Sequence, residues 1–129
     1  MLQIKKLHHI AIICSNYERS KKFYTEVLGF YIMQEVYRKE RDSYKLDLGL
    51  NGEYLIELFS FPNPPKRLTM PEAAGLRHIA FEVDDINEAV HNLKQMRVEV
   101  ELIRTDDLSS KRFTFFRDPD DLPIEIYEL

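Results

Sequence analysis

The polar and apolar positions of the chain fall into two periods that alternate along it. Leu7, His9, Ala11 and Ile13 lie on one face of an extended run and His8, Ile10 and Ile12 on the other, and both faces are largely apolar, which predicts a buried strand. Asn16 then offers a side-chain cap to a helix whose apolar positions are Tyr17, Ser20, Phe23, Tyr24, Val27 and Leu28, and Gly29 supplies a left-handed stop. Phe30 to Arg38, Ser43 to Leu50 and Glu53 to Phe61 return to period two. Asn51-Gly52 joins the last two as a hairpin turn, because both central positions of a type I′ turn need positive φ. The unit reads β-α-β-β-β.

Pro62, Pro64, Pro65, Pro71 and Gly75 interrupt the pattern, and it then begins again. Leu76 to Val83 predicts a strand, Asp84 or Asp85 caps a helix with the apolar face Ile86, Ala89, Val90, Leu93 and Met96, and Val98 to Arg104, Lys111 to Asp118 and Pro123 to Leu129 predict three more strands. Asp118-Pro119-Asp120-Asp121 is the turn before the last of them. The second pattern is the first repeated. Leu7-His8-His9-Ile10-Ala11-Ile12 aligns with Leu76-Arg77-His78-Ile79-Ala80-Phe81 at an offset of 69, and Leu55-Ile56-Glu57-Leu58-Phe59 with Pro123-Ile124-Glu125-Ile126-Tyr127 at 68. We therefore expect an α+β fold in one domain, with a first βαβββ module over 4–61, a linker over 62–75 and a second module over 76–129.

Composition narrows the function classes. At 129 residues, 44% hydrophobic and 31% charged, the balance is that of an ordinary globular protein. No apolar run approaches the ~20 residues of a spanning helix, and the N-terminus lacks the layout of a secretory signal, so no membrane association and a cytoplasmic location are expected. A net charge of -4 without a basic stripe argues against nucleic acid. The single cysteine, Cys14, ends a strand run and reads as a buried, inert thiol in a reducing compartment.

The repeat carries the candidate chemistry. Glu57 lies between Ile56 and Leu58, and Glu125 between Ile124 and Ile126, in segments otherwise suited to burial. A buried carboxylate needs a cation or a strong donor. A salt bridge explains one such glutamate, but two at equivalent positions, each matched by an equivalent histidine, point to a metal held by His9, Glu57, His78 and Glu125. His8 faces the other side of its strand and His91 sits on the second helix with no counterpart, so neither is a ligand candidate. Two imidazoles and two carboxylates suit Ni, Co, Zn, Mn or Fe better than Ca or Mg.

The motifs together resemble the vicinal oxygen chelate superfamily, the glyoxalase and dioxygenase group. They are His9 in His8-His9-Ile10-Ala11-Ile12, Phe23-Tyr24-Thr25-Glu26-Val27-Leu28-Gly29-Phe30, Glu57 in Ile56-Glu57-Leu58, His78-Ile79-Ala80-Phe81, and Asp118-Pro119-Asp120 before Ile124-Glu125-Ile126. The resemblance implies two paired βαβββ modules curled into an incomplete eight-stranded barrel, a divalent metal, a small-molecule substrate and a homodimer. It further implies a site completed within one chain or between two. Dioxygenases and fosfomycin-modifying members typically use two histidines and one glutamate, and epimerases usually carry glutamine where Glu57 stands. His-Glu-His-Glu is the pattern of glyoxalase I, the lactoylglutathione lyase of methylglyoxal detoxification, with Glu57 or Glu125 as the base that works through an enediolate. An acyl-CoA epimerase and a non-catalytic, resistance-type binding protein are the alternatives.

The chain also departs from bacterial glyoxalase I. Ile13 stands where that enzyme has a glutathione-contacting arginine, Asp106 to Lys111 replaces a glycine-rich stretch, and Asp121 replaces a glycine. These changes count against glutathione and leave the metal pattern intact. Tyr37, Arg38, Tyr44, Arg67, Arg112, Phe113 and Phe115 could line a substrate cleft, although packing explains each of them as well. The loop from Pro62 to Gly75 reads as lid, connector or dimer contact.

Overall fold

In the computed structural model, which describes residues 1–129, the first repeat folds as β1 (Ile10–Cys14), α1 (Tyr17–Lys22), β2 (Tyr31–Arg38), β3 (Ser43–Leu50) and β4 (Glu53–Ser60). The second folds as β5 (Ile79–Val83), α2 (Ile86–Gln95), β6 (Arg104–Thr105), β7 (Arg112–Arg117) and β8 (Pro123–Glu128). Each repeat makes a four-stranded mixed sheet, ordered β1-β4-β3-β2 and β5-β8-β7-β6. The first pair in each sheet is parallel and the others antiparallel. The α+β class and the duplicated unit are as expected. The chain divides into two compact units, Met1–Pro65 and Lys66–Leu129, at a point inside the proline-rich segment.

Local sequence chemistry accounts for the elements. Asn16 and Asp85 cap the two helices, each accepting from the backbone N–H three residues on, Arg19 and Glu88. Asn51 and Gly52 both take positive φ, 51° and 83°, as the hairpin requires. In the turn before β8, Asp118 Oδ1 accepts from the N–H groups of Asp120 (2.8 Å) and Leu122 (2.9 Å), and Asp121 adopts φ 70°. No helix is long and apolar enough to cross a membrane.

Each sheet has one closed and one open face. In the first unit Ile12, Cys14, Leu46, Leu48, Ile56 and Leu58 are buried, as are Tyr17, Ser20 and Tyr24 of the helical segment. In the second, Ile79, Thr114, Phe116, Ile124 and Ile126 are buried along with Ile86, Val90 and Leu93 of α2. This corrects the reading of β1 as buried on both faces, since Ala11 is exposed and Ile13 is 55% exposed. Those residues belong to the open face, in register with Glu57 and Phe59.

Two further expectations give way to side-chain competition for backbone groups. The first helix is α-helical only to Lys22, after which Phe23–Val27 forms a π-turn and Leu28 N–H donates to Phe23 O. The Thr25 hydroxyl donates to Lys21 O at 2.8 Å and occupies that carbonyl. The strand expected over Val98 to Arg104 shrinks to β6 plus a single bridge between Val100 and Phe116. Here the buried Thr114 hydroxyl lies 2.8 Å from Glu101 O and 3.3 Å from Leu102 O, beside a main-chain bond from Glu101 N–H to Phe115 O at 2.9 Å.

Candidate metal centre

Glu57 and Glu125 occupy the same place in the two sheets. β1 and β4 set Ala11 opposite Glu57, and β5 and β8 set Ala80 opposite Glu125. Alternation along a strand then puts His9 and His78, two residues earlier, on the same open faces. His9 Nε2 lies 3.9 Å from Glu57 Oε1 and His78 Nε2 lies 3.1 Å from Glu125 Oε2. Both glutamate side chains are 15% exposed and both histidines about twice that, so each pair is sheltered but reachable.

The donor set fits a divalent transition metal. Two ligands at about 2.1 Å from an ion and at right angles to each other lie about 3 Å apart. The His78–Glu125 pair already has that separation, and the His9–Glu57 pair must close slightly. Within neither unit do three or more His, Cys, Asp or Glu side chains gather into a group that could hold a metal; the structure brings together His9 with Glu57 and His78 with Glu125.

The surroundings of the two pairs differ sharply. Around Glu57, the Tyr54 hydroxyl lies 2.9 Å from Oε2 and 3.1 Å from Asp47 Oδ1, and Lys45 Nζ lies 3.5 Å from Oε2 and 2.9 Å from Asp47 Oδ1. The Tyr54 ring also stacks on His9, at 5.1 Å and 11°. Burial, then the bond to Glu57, raises the Tyr54 phenol above its ordinary range, and the bond to Asp47 raises the Lys45 ammonium. The counter-ion expected for a lone glutamate is thus present at Glu57. At the repeat offset of 68, Lys45, Asp47 and Tyr54 become Phe113, Phe115 and Leu122. The second pair accordingly has an apolar frame, with the Phe115 ring edge-on to His78 at 5.1 Å.

The imidazole protons are set by neighbours. His8 Nδ1 and His9 Nδ1 are 2.8 Å apart, so one donates to the other. A His9 that donates through Nδ1 to His8 has an unprotonated Nε2, the form a metal would need. Arg77 Nη1 lies 2.9 Å from His78 Nδ1 and can only donate, which keeps the His78 proton on Nε2, facing Glu125. A metal held at His78 Nε2 would need the imidazole proton on Nδ1, and Arg77, whose side chain is 61% exposed, would then have to turn away.

Most of the other cleft candidates have structural partners. Tyr44 stacks on Tyr17 at 4.2 Å, Tyr37 donates to Asp42, and Arg38 lies over the Phe59 ring and donates to Ser43. Arg112 forms a bidentate pair with Glu128, at 2.7 and 2.9 Å. Phe113 stacks with Tyr127, and Arg67 braces its own loop through Thr69, Leu76 O and Arg77 O. Phe115 alone of the set touches a candidate ligand. Sequence reasoning missed Tyr54, Lys45 and Asp47. Their signal was a repeat that is polar in one copy and apolar in the other.

The family model for the Glyoxalase/Bleomycin resistance protein/Dioxygenase superfamily matches residues 6–126. The chain belongs to this superfamily. It is 64% identical to the uncharacterized protein YwkD of Bacillus subtilis (strain 168), over 97% of this chain and 98% of that one. Among solved structures it is similar to a glyoxalase family protein from Enterococcus faecalis, with TM-score 0.89, 46% identity and coverage of 96% and 98%. It is also 30% identical to the mitochondrial methylmalonyl-CoA epimerase of Bos taurus, over 74% of this chain and 56% of that protein. Members of the superfamily thus include enzymes, and they typically use divalent metals.

The contacts of Tyr54 give a prediction for the first pair. Tyr54→Phe keeps the ring on His9 and removes the hydroxyl beside Glu57, so we expect metal affinity to fall by about tenfold or more, the scale on which outer-shell partners act. Chelator competition on the folded variant measures it. An unchanged affinity would separate Tyr54 from the site.

Proposed function

We propose that the chain is a metal-dependent enzyme of glyoxalase I type, a cytoplasmic lyase that isomerises the hemithioacetal of a 2-oxoaldehyde such as methylglyoxal. One divalent ion, Ni, Co, Zn, Mn or Fe, is held by His9 and Glu57 of one unit and His78 and Glu125 of another, in the same chain or in the partner of a homodimer. The observation that carries this reading is the His–Glu pair at register-equivalent positions on the open face of both sheets. Glutamate rather than glutamine at position 57 favours the glyoxalase I reaction over epimerisation. The ion supplies Lewis-acid stabilisation of the negative charge that develops on two neighbouring substrate oxygens.

The chain's own residues move the proton. A glutamate takes it from the carbon that carries the thioether and returns it to the adjacent carbon, leaving a 2-hydroxy thioester with no net change in atoms or electrons. Glu57 and Glu125 both have the chemistry for this. The bracing of Glu57 by Tyr54 and Lys45 favours Glu125 as base. Ile13, in place of an arginine, favours a thiol other than glutathione. A homodimer is supported by β2, an edge strand with Ile32, Met33 and Val36 exposed. The similarity to an epimerase supports the second reading, isomerisation of an acyl-CoA at the same metal.

The test is elemental analysis of the purified protein, followed by reconstitution with each metal and turnover of methylglyoxal with several thiols, beside methylmalonyl-CoA. We expect one metal per set of four ligands and turnover of a hemithioacetal. Turnover of methylmalonyl-CoA alone selects the epimerase. A protein that binds metal yet turns over neither substrate would leave a binding protein, and one that refuses every metal sinks the enzyme reading.

A further inference from the structure

The second unit contains a cleft of about 230 Å³ whose lining includes Arg67, Arg77, Arg104, Phe115, Arg117 and Pro123. Strand register shows which face it opens on. β7 and β8 set Phe115 opposite Glu125 and Arg117 opposite Pro123, so the cleft shares the open face with Glu125, and its lining residue Phe115 lies edge-on to His78. Whole drug-sized ligands occupy roughly 300–1,000 Å³, so this volume suits a terminal group rather than an entire substrate.

The cleft carries an excess of positive charge. Four arginines line it against two carboxylates, Glu72 and Glu101. Arg77 is paired with Glu72, whereas Arg67 spends its N–H groups on the neutral Thr69 hydroxyl and two carbonyl oxygens and keeps its charge uncompensated. Arg117 pairs at 2.9 Å with Asp121, which is not part of the lining. Arg104 lies 3.4 Å from Glu101 in a half-exposed pair three residues apart, a contact too weak to hold the guanidinium, and rests over the rings of Phe113 (5.0 Å) and Phe115 (5.7 Å).

The repeat argues that these charges are not needed for the fold. At the offset of 68, Arg104 corresponds to Val36 at the same strand position, opposite Phe113 as Val36 is opposite Lys45, and Arg117 corresponds in sequence to Gly49. Planar guanidinium groups present paired N–H donors that match carboxylate and phosphate oxygens. We infer that this cleft binds an anionic terminal group of the substrate, carboxylate or phosphate, through Arg104 and Arg117, with Phe115 as the spacer from the His78–Glu125 pair. The inference rests on the proposed reaction only for calling the ligand a substrate.

The experiment titrates the full-length protein with inorganic phosphate and with succinate at constant ionic strength, followed by amide chemical shifts, for wild type, Arg104→Gln and Arg104→Gln/Arg117→Gln. Metal binding is measured on the same preparations. We expect saturable binding of at least one probe, shifts that cluster on β6, β7 and 67–77, at least tenfold weaker binding in the double variant, and unchanged metal stoichiometry. The tighter probe identifies the group as phosphate or carboxylate. Shifts reproduced by chloride, no saturable binding to wild type, or equal binding by the variants would overturn the inference. Arg104→Gln, altered only at a half-exposed side chain, decides the matter if the double variant does not fold. Arginine-dependent probe binding by a protein that takes no metal would keep the cleft and reject the enzyme, whereas metal binding without probe binding does the reverse.

Discussion

Glu125→Ala is expected to lower metal affinity by more than about a hundredfold and to abolish turnover, while leaving the metal-free protein close to wild type in stability. Loss of an outer-shell partner alone costs roughly 10–100-fold in affinity, and removal of a ligand exceeds that. The carboxylate is largely sheltered, and its partner is His78 Nε2 at 3.1 Å. Little stabilising energy is therefore lost without the metal. Glu125→Gln sharpens the result, because it keeps the shape and an acceptor for the His78 N–H while removing the charge. Chelator competition and thermal melts with and without metal check both variants. Metal should raise the melting temperature of wild type and leave that of Glu125→Ala unmoved, since a ligand stabilises only the state that binds it. Wild-type affinity in Glu125→Ala would remove this residue from the ligand set and with it the symmetric reading.

Glu57→Ala should cost as much metal affinity, but its stability effect differs in kind. Lys45 and Tyr54 both turn toward Glu57, and Asp47 remains for each of them once the glutamate is gone. The first pair is thus held by a polar network that survives loss of its ligand. The second has Phe115 edge-on to His78 and a single polar neighbour, Arg77, at the His78 Nδ1.

The duplicated unit could be read from the chain because its signals are local. Caps at Asn16 and Asp85, the Asn51-Gly52 turn and the period of two along β3 and β4 each act within a few residues. The errors arose where a side chain took a backbone group from its regular partner, as Thr25 and Thr114 do, since that competition depends on the folded backbone. The exposure of Ala11 and Ile13 was hidden for another reason: an apolar open face has the same composition as a buried one. His9, Glu57, His78 and Glu125 stood out through repetition. Tyr54, Lys45, Arg104 and Arg117 have no like residue at the repeat offset, so symmetry could not mark them.

Leu58→Ala tests the other side of that division, the closed face, and is expected to cost about 3 kcal/mol, within the 2–5 kcal/mol range of large-to-small core changes. Leu58 is fully buried in β4, between Ile12 of β1 and Leu46 of β3 in register, and both of those are buried as well. Main-chain pairing on both sides restricts collapse around the lost methyl groups, so most of the cavity persists. Ile126, its counterpart in β8, is 5% exposed and lies opposite the intermediate Phe81 and the hydroxyl-bearing Thr114, so Ile126→Ala should cost less. Urea denaturation of the metal-free proteins measures both, and a loss below about 1 kcal/mol at Leu58 would contradict its burial in the first core. Because Leu58 points away from the face that bears Glu57, its removal leaves the ligands in place. Metal supplied at about a hundred times its dissociation constant should then restore roughly 2.7 kcal/mol, nearly offsetting the cavity. The same addition to Leu58→Ala/Glu125→Ala should restore almost nothing, which distinguishes a destabilised fold from a lost site in a single measurement.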